Sequence, residues 1–187
     1  MGLFRATPST ATIVGVRRNA EQSRAARVEQ SDTAPTVVVA AAVVREGRVL
    51  AQQRAYPPAL AGRWELPGGR VESEESARDA LIRECGEELA VEIVPGEQLG
   101  PDVALASGSV LRVHVARLAQ PRATPVPVEH AALRWVDVSE LAALDWLDAD
   151  RVILPDLEVL LRAQRRGTAG GTGAPINPRS NIEGPGN

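Results

Sequence analysis

The chain has 187 residues and a formal net charge of -3, too mild a balance to attract a nucleic acid polymer or an anionic membrane surface. One cysteine excludes an internal disulfide and suits a reducing compartment, so a cytoplasmic location is expected. All 21 basic residues are Arg, which we read as codon bias rather than chemistry.

Residues 1–35 are rich in Arg, Ser, Thr and Ala without steady periodicity, and read as a flexible extension. No apolar run there suits a signal peptide. Thr36 to Val44 is continuous and β-branched, as a strand covered on both faces should be, and is far too short to span a membrane. Glu46-Gly47 marks a turn, with Arg48 to Arg54 as the hairpin partner. Tyr56 to Arg63 is a loop. Trp64-Glu65-Leu66 is a short strand ending at Pro67-Gly68-Gly69, with Trp64 read as core.

A helix follows from about Ser76 to Leu89. Ser76 and Asp79 have capping-box spacing, and Ala77, Leu81, Cys85 and Leu89 form an apolar stripe. Strands are expected at Val91–Val94, Gln98–Ala106 and Val110–Leu118, with a hairpin turn at Ser107-Gly108. A Pro-rich loop runs from Gln120 to Val128, and Ala132 to Val136 is a last strand. Ser139 is expected to cap a short helix, and Pro155 to Arg165 reads as a closing helix with Leu157, Leu160 and Leu161 inward. Residues 166–187 read as a disordered tail. This order predicts one α/β domain over residues 36–165, with a mixed β-sheet between helices.

The helix carries an unusual charge cluster. Glu84, Glu87 and Glu88 share one side, because residues three and four apart on a helix are neighbours. Like charges at this spacing repel by about 0.2–0.5 kcal/mol, and a hard divalent cation would reverse the sign.

Gly69, Glu75, Arg83-Glu84 and Glu87-Glu88 resemble the Nudix box, G-x5-E-x7-R-E-U-x-E-E-x-G-U, with U a bulky apolar residue. Two positions depart from it. Cys85 replaces an aliphatic residue, which a small buried thiol can do. Ala90 replaces a Gly near the helix C-terminus, where a positive φ is often required. Nudix proteins are α/β/α sandwiches that hydrolyse a nucleoside diphosphate linked to another moiety. The resemblance therefore implies the same fold and chemistry, with Mg²⁺ or Mn²⁺ as cofactor.

Carried over residue by residue, the resemblance makes Glu84 and Glu88 metal ligands and catalytic groups. Glu87 is a further ligand or a partner that positions water. The Gly68 carbonyl is another ligand candidate, while Gly69, Glu75 and Arg83 have supporting roles. Glu129 stands where MutT-type members place a general-base candidate; its alternative is a solvated loop residue. The neighbouring His130 reads as a bystander. Arg54 corresponds to an Arg held against the nucleotide, its alternative being an ordinary surface Arg. Asp150 falls where a base-reading side chain is expected, and equally where an Asp would cap the final helix.

The segments Gln52-Gln53-Arg54, Pro58 to Gly69, Leu133 to Val136 and Asp148 to Arg151 resemble the MutT and CTP pyrophosphohydrolase branch. They imply cleavage of a (deoxy)nucleoside triphosphate to the monophosphate and pyrophosphate, leaning to (d)CTP or an oxidised nucleotide such as 8-oxo-dGTP. The signatures of the NADH, dinucleoside polyphosphate and ADP-ribose branches are absent. Another Nudix hydrolase activity, or a nucleotide-sensing domain without turnover, remains the alternative. The expected state is a monomer or homodimer.

Overall fold

The computed structural model describes residues 35–169, with side chains through Arg166. The expectations for residues 1–34 and 170–187 lie outside the described residues. Strand β1 (Val37–Arg45) is the centre of the domain. Successive strand residues face opposite sides. Val39, Ala41 and Val43 therefore enter one core with Leu81, Cys85 and Leu89, while Ala40, Ala42 and Val44 enter a second with Ile153, Leu157 and Leu161. Helix α1 (Ala77–Leu89) closes the first core and helix α2 (Asp148–Ala169) the second. The result is the predicted α/β/α sandwich.

The remaining strands are β2 (Arg48–Gln53), β3 (Trp64–Glu65), β4 (Gly68–Arg70), β5 (Ile93–Gln98), β6 (Val103–Ala104), β7 (Val110–Leu118) and β8 (Ala132–Asp137). The sheet order is β3-β2-β1-β7-β5, with β4 on β1, β6 on β7 and β8 on β2. Among the named strands β1 and β7 pair in parallel and the other pairings are antiparallel. Glu46 and Gly47 make the β1–β2 turn at φ 53° and 70°.

One irregularity builds the site. β2 pairs with only the far end of β1, at Val44↔Val49 and Arg45↔Arg48, and then diverges. The chain from Trp64 to Arg70 crosses the gap. Its first half pairs with β2 (Gln52↔Glu65) and its second half with β1 (Ala40↔Gly68). Trp64 is half-buried against the α2-side core.

The expected strands Val91–Val94 and Gln98–Ala106 are instead β5 and β6. Pro95 sits within β5, the terminal strand of the sheet order, where a missing N–H is tolerated. Gly100, at φ 67°, with Pro101 after it, then breaks the extended run. Ser139 does not cap a helix. Its N–H and hydroxyl both donate to Asp137 Oδ1, at 2.8 and 2.6 Å, and a single 3-10 turn follows at Leu141–Ala143. The last helix begins at Asp148 rather than Pro155 and continues to Ala169. Pro155 would ordinarily break it. Here Pro155 is exposed, while Ile153 and Leu157 on either side are fully buried, so tertiary packing overrides the local preference. Among the described residues no helix is long and apolar enough to cross a membrane.

Candidate active site

Two glycines join the sheet to α1. Gly68 has φ 152°, and a Cβ there would stand 2.1 Å from the Val39 carbonyl oxygen. A Cβ on Gly69 would stand 2.1 Å from Glu84 Oε1. The glycine pair thus lets β4 lie against β1 on one side and lets the Glu84 carboxylate approach on the other.

Helix α1 starts as expected, with the Ser76 hydroxyl accepting from the Asp79 N–H at 3.2 Å. It ends on Ala90 in the left-handed region, at φ 55° and ψ 36°, so the residue standing in for Gly adopts the conformation Gly would. Cys85 is fully buried in the apolar stripe.

Arg83 organises the outer part of the charge cluster. Its Nε and Nη2 donate to the two oxygens of Glu75 at 3.0 Å each, and Nη2 also reaches the Arg70 carbonyl. Its Nη1 lies 2.9 Å from Glu84 Oε1 and 3.4 Å from Glu87 Oε2. The hydrogen bond from Arg83, then that from the Glu72 N–H, hold Glu75 below the usual carboxylate range. The grip on Glu75 and Glu84 is closer than the surface contact with Glu87.

Glu88 is the buried member, 9% exposed. Its Oε2 accepts from Gln52 Nε2 at 2.9 Å and from the Gly68 N–H at 3.0 Å. Burial pushes its carboxyl up to about 6 against the opposing pull of Gln52, His130 and Gly68.

Three further residues at this centre carried no expectation of a role. Gln52 is one. Glu65, 8% exposed, is the second: Arg54 Nη1 lies 2.8 Å from both of its oxygens. His130 is the third. Its Nε2 is 2.9 Å from Glu65 Oε1 and 3.8 Å from Glu88 Oε1, so it is a buried partner of these acids rather than a free loop side chain. The available signal was weak: one amide ending the apolar run Val49-Leu50-Ala51, and one acid between Trp64 and Leu66.

Arg54 faces the site with its Nη1 on Glu65 and its Nε on the Tyr56 carbonyl. Glu129 is exposed beside a hollow of about 210 Å³ lined also by Arg54, Tyr56, Glu88 and His130. Its loop is laced to the end of α1, with the Val128 N–H on the Glu88 carbonyl at 3.0 Å.

Asp150 lies in the first turn of α2, 5% exposed, and its Oδ1 accepts from the Leu66 N–H at 3.0 Å. Glu65, Leu66, Gly68 and Asp150 line a second cavity of about 140 Å³ with otherwise apolar walls. Burial, opposed by the Leu66 bond, raises Asp150 to about 7, so near neutral pH it is shared between acid and carboxylate.

Glu84 and Glu88 therefore meet the same Gly68–Gly69 backbone, while Glu87 stays outward, 59% exposed in its side chain. Among the described residues no three Asp, Glu, His or Cys side chains group tightly enough to hold a metal. The donor chemistry still suits a hard divalent cation: two carboxylates and a peptide segment too crowded for any Cβ.

Residues 34–157 match the model of the NUDIX domain. The chain belongs to the Nudix family. It is 46% identical over 126 residues to a Mycobacterium tuberculosis protein provisionally named 8-oxo-dGTP diphosphatase 2, covering 65% of this chain and 86% of that one. It is 38% identical over 130 residues to the CTP pyrophosphohydrolase of Escherichia coli, covering 68% and 94%. The solution structure of the Escherichia coli ORF135 protein superposes with a TM-score of 0.58 at 36% identity, over 70% of this chain and 92% of that one. The protein is a Nudix hydrolase of MutT-like type, and its mixed sheet between helices is the family's fold.

Proposed function

We propose that this Nudix hydrolase is a Mg²⁺-dependent nucleoside triphosphate pyrophosphohydrolase, with Mn²⁺ able to substitute. It acts on free nucleotides in the cytoplasm. Water attacks phosphorus, the phosphoanhydride bond breaks, and the products are a (d)NMP and pyrophosphate. The observation that carries the reading is the approach of Glu84 and Glu88 to one glycine segment beside the cavity that ends at Asp150.

Glu84, Glu88 and the Gly68 carbonyl would hold the cation, with Glu87 completing the set. When bound, the ion neutralises phosphoryl oxygens and acidifies water. Arg83 and Glu75 keep Glu84 against Gly69. Glu129, exposed at the mouth of the hollow, would take the proton from the attacking water. Arg54 offers donors to phosphate or a base edge.

Asp150 would read the base. As a carboxylate it accepts from an exocyclic amine such as cytosine N4, and as an acid it donates to a purine carbonyl. Its rise to about 7 supports both members of the expected lean, (d)CTP and 8-oxo-dGTP. The names of the two relatives agree with that pair.

The alternative, nucleotide sensing without turnover, is favoured by one observation: Arg83 holds Glu84 at 2.9 Å. The test is purified protein with Mg²⁺ and a nucleotide panel. Pyrophosphate release that disappears in Glu84→Gln is expected. Tight binding with no turnover of any member would overturn the enzyme reading.

A further inference from the structure

Gln52 is fully buried in β2. Strand alternation puts it with Leu50 on the α1 side of the sheet. A carboxylate only accepts hydrogen bonds, so the amide nitrogen, not the oxygen, must face Glu88. The amide oxygen Oε1 is left buried without a hydrogen-bond partner. An orphaned acceptor is a standing penalty that Leu or Met at this position would not incur. The compensation is the contact with Glu88. Gln52 Nε2 and the Gly68 N–H both donate to Oε2, at 2.9 and 3.0 Å. Two donors on one oxygen fix the carboxylate's rotation and leave Oε1 with neither. The nearest ion-pair partner of that second oxygen is His130 Nε2, at 3.8 Å.

We propose that Gln52 is a positioning residue that turns Glu88 so that Oε1, not Oε2, is the oxygen offered to the divalent cation. This rests on the reading of Glu88 as a cation ligand. Groups of this kind tune a metal site through the ligand they orient, and their loss typically weakens metal affinity or activity by about 10–100-fold.

The test replaces Gln52 by Met, of similar length and without a donor. Mn²⁺ binding to the full chain without nucleotide is followed by electron paramagnetic resonance of the free ion. Binding at least about tenfold weaker than in the wild type is expected, in a protein whose cooperative thermal unfolding shows that it is folded. Unchanged Mn²⁺ affinity in folded Gln52→Met would overturn the proposal and reduce Gln52 to a packing contact. If Gln52→Met fails to fold, the side-chain amide resonances of Gln52 are followed in the wild-type protein during Mg²⁺ titration. Saturable movement supports the role, and stationary resonances overturn it. Glu88→Gln separates the two levels. Mn²⁺ binding that survives Glu88→Gln defeats the cation reading itself. Binding lost there but intact in Gln52→Met defeats the positioning role alone.

Discussion

His130 Nε2 lies 2.9 Å from Glu65 Oε1, and Arg54 Nη1 closes on the same carboxylate at 2.8 Å. A buried acid is thus held between an imidazole and a guanidinium that come from different segments. Neither contact alone satisfies Glu65, because burying a carboxylate without enough partners is costly. The arrangement also sets where the Arg54 head rests at the edge of the site.

His130→Ala should therefore destabilise the domain by about 1–3 kcal/mol, the usual result of stranding a buried partner. It should raise KM for nucleotide more than it lowers kcat, since Glu65, the anchor of Arg54, loses one of its two partners, while the Gln52 and Gly68 hydrogen bonds that hold Glu88 remain. His130→Gln, which can still donate to Glu65, should recover part of both effects. Urea denaturation and steady-state kinetics measure this. A His130→Ala protein as stable as the wild type would remove the structural half of the expectation.

Asp150 predicts a pH dependence. Burial lifts its carboxyl from the ordinary 3.8 to about 7. Between those values the folded protein keeps a proton that the unfolded chain has released. This group's contribution to stability is therefore present at low pH and is lost as the pH rises through about 7. Asp150→Asn cannot titrate, so its stability relative to the wild type should grow from pH 4 to pH 8, by at most about 4 kcal/mol. Chemical denaturation at the two pH values decides the matter. A difference that stays flat or shrinks with pH would show that Asp150 is ionised throughout.

Ala90 occupies the left-handed region at the end of α1, with φ 55°. That conformation costs an L-residue about 1–2 kcal/mol, and Gly loses part of the advantage through its freer unfolded chain. Ala90→Gly should stabilise the domain by about 1 kcal/mol and raise Tm by about 2–4 °C at this chain length. Thermal unfolding measures it, and a lower Tm would refute the strain.

The course of α1 was legible in the sequence because its signals are local. Ser76 and Asp79 are three residues apart, the apolar stripe repeats at helical spacing, and the departure at Ala90 already marked where a positive φ would fall. The alternating faces of β1 were equally readable, since a continuous β-branched run has to be covered on both sides. Glu75, Arg83, Glu84 and Glu88 lie within one turn-and-helix segment, so their mutual placement followed from helix geometry.

The rest of the site was not legible, because its contacts join residues far apart in the chain. Gln52 meets Glu88 across 36 positions, His130 meets Glu65 across 65, and Leu66 meets Asp150 across 84. Each depends on the divergence of β2 from β1, which lets the Trp64–Arg70 segment bridge the two strands. No local propensity encodes that gap. The start of α2 shows the same limit: Pro155 locally argues for a helix start, yet burial of Ile153, Leu157 and Leu161 carries the helix through it from Asp148. The sequence by itself determined the family, the glycine turn and the glutamates on α1, because period and capping act over a few residues. Only the tertiary structure decided which oxygen of Glu88 is held, what anchors Arg54 and how strongly Asp150 is desolvated, because these are properties of burial and of partners brought from elsewhere in the chain.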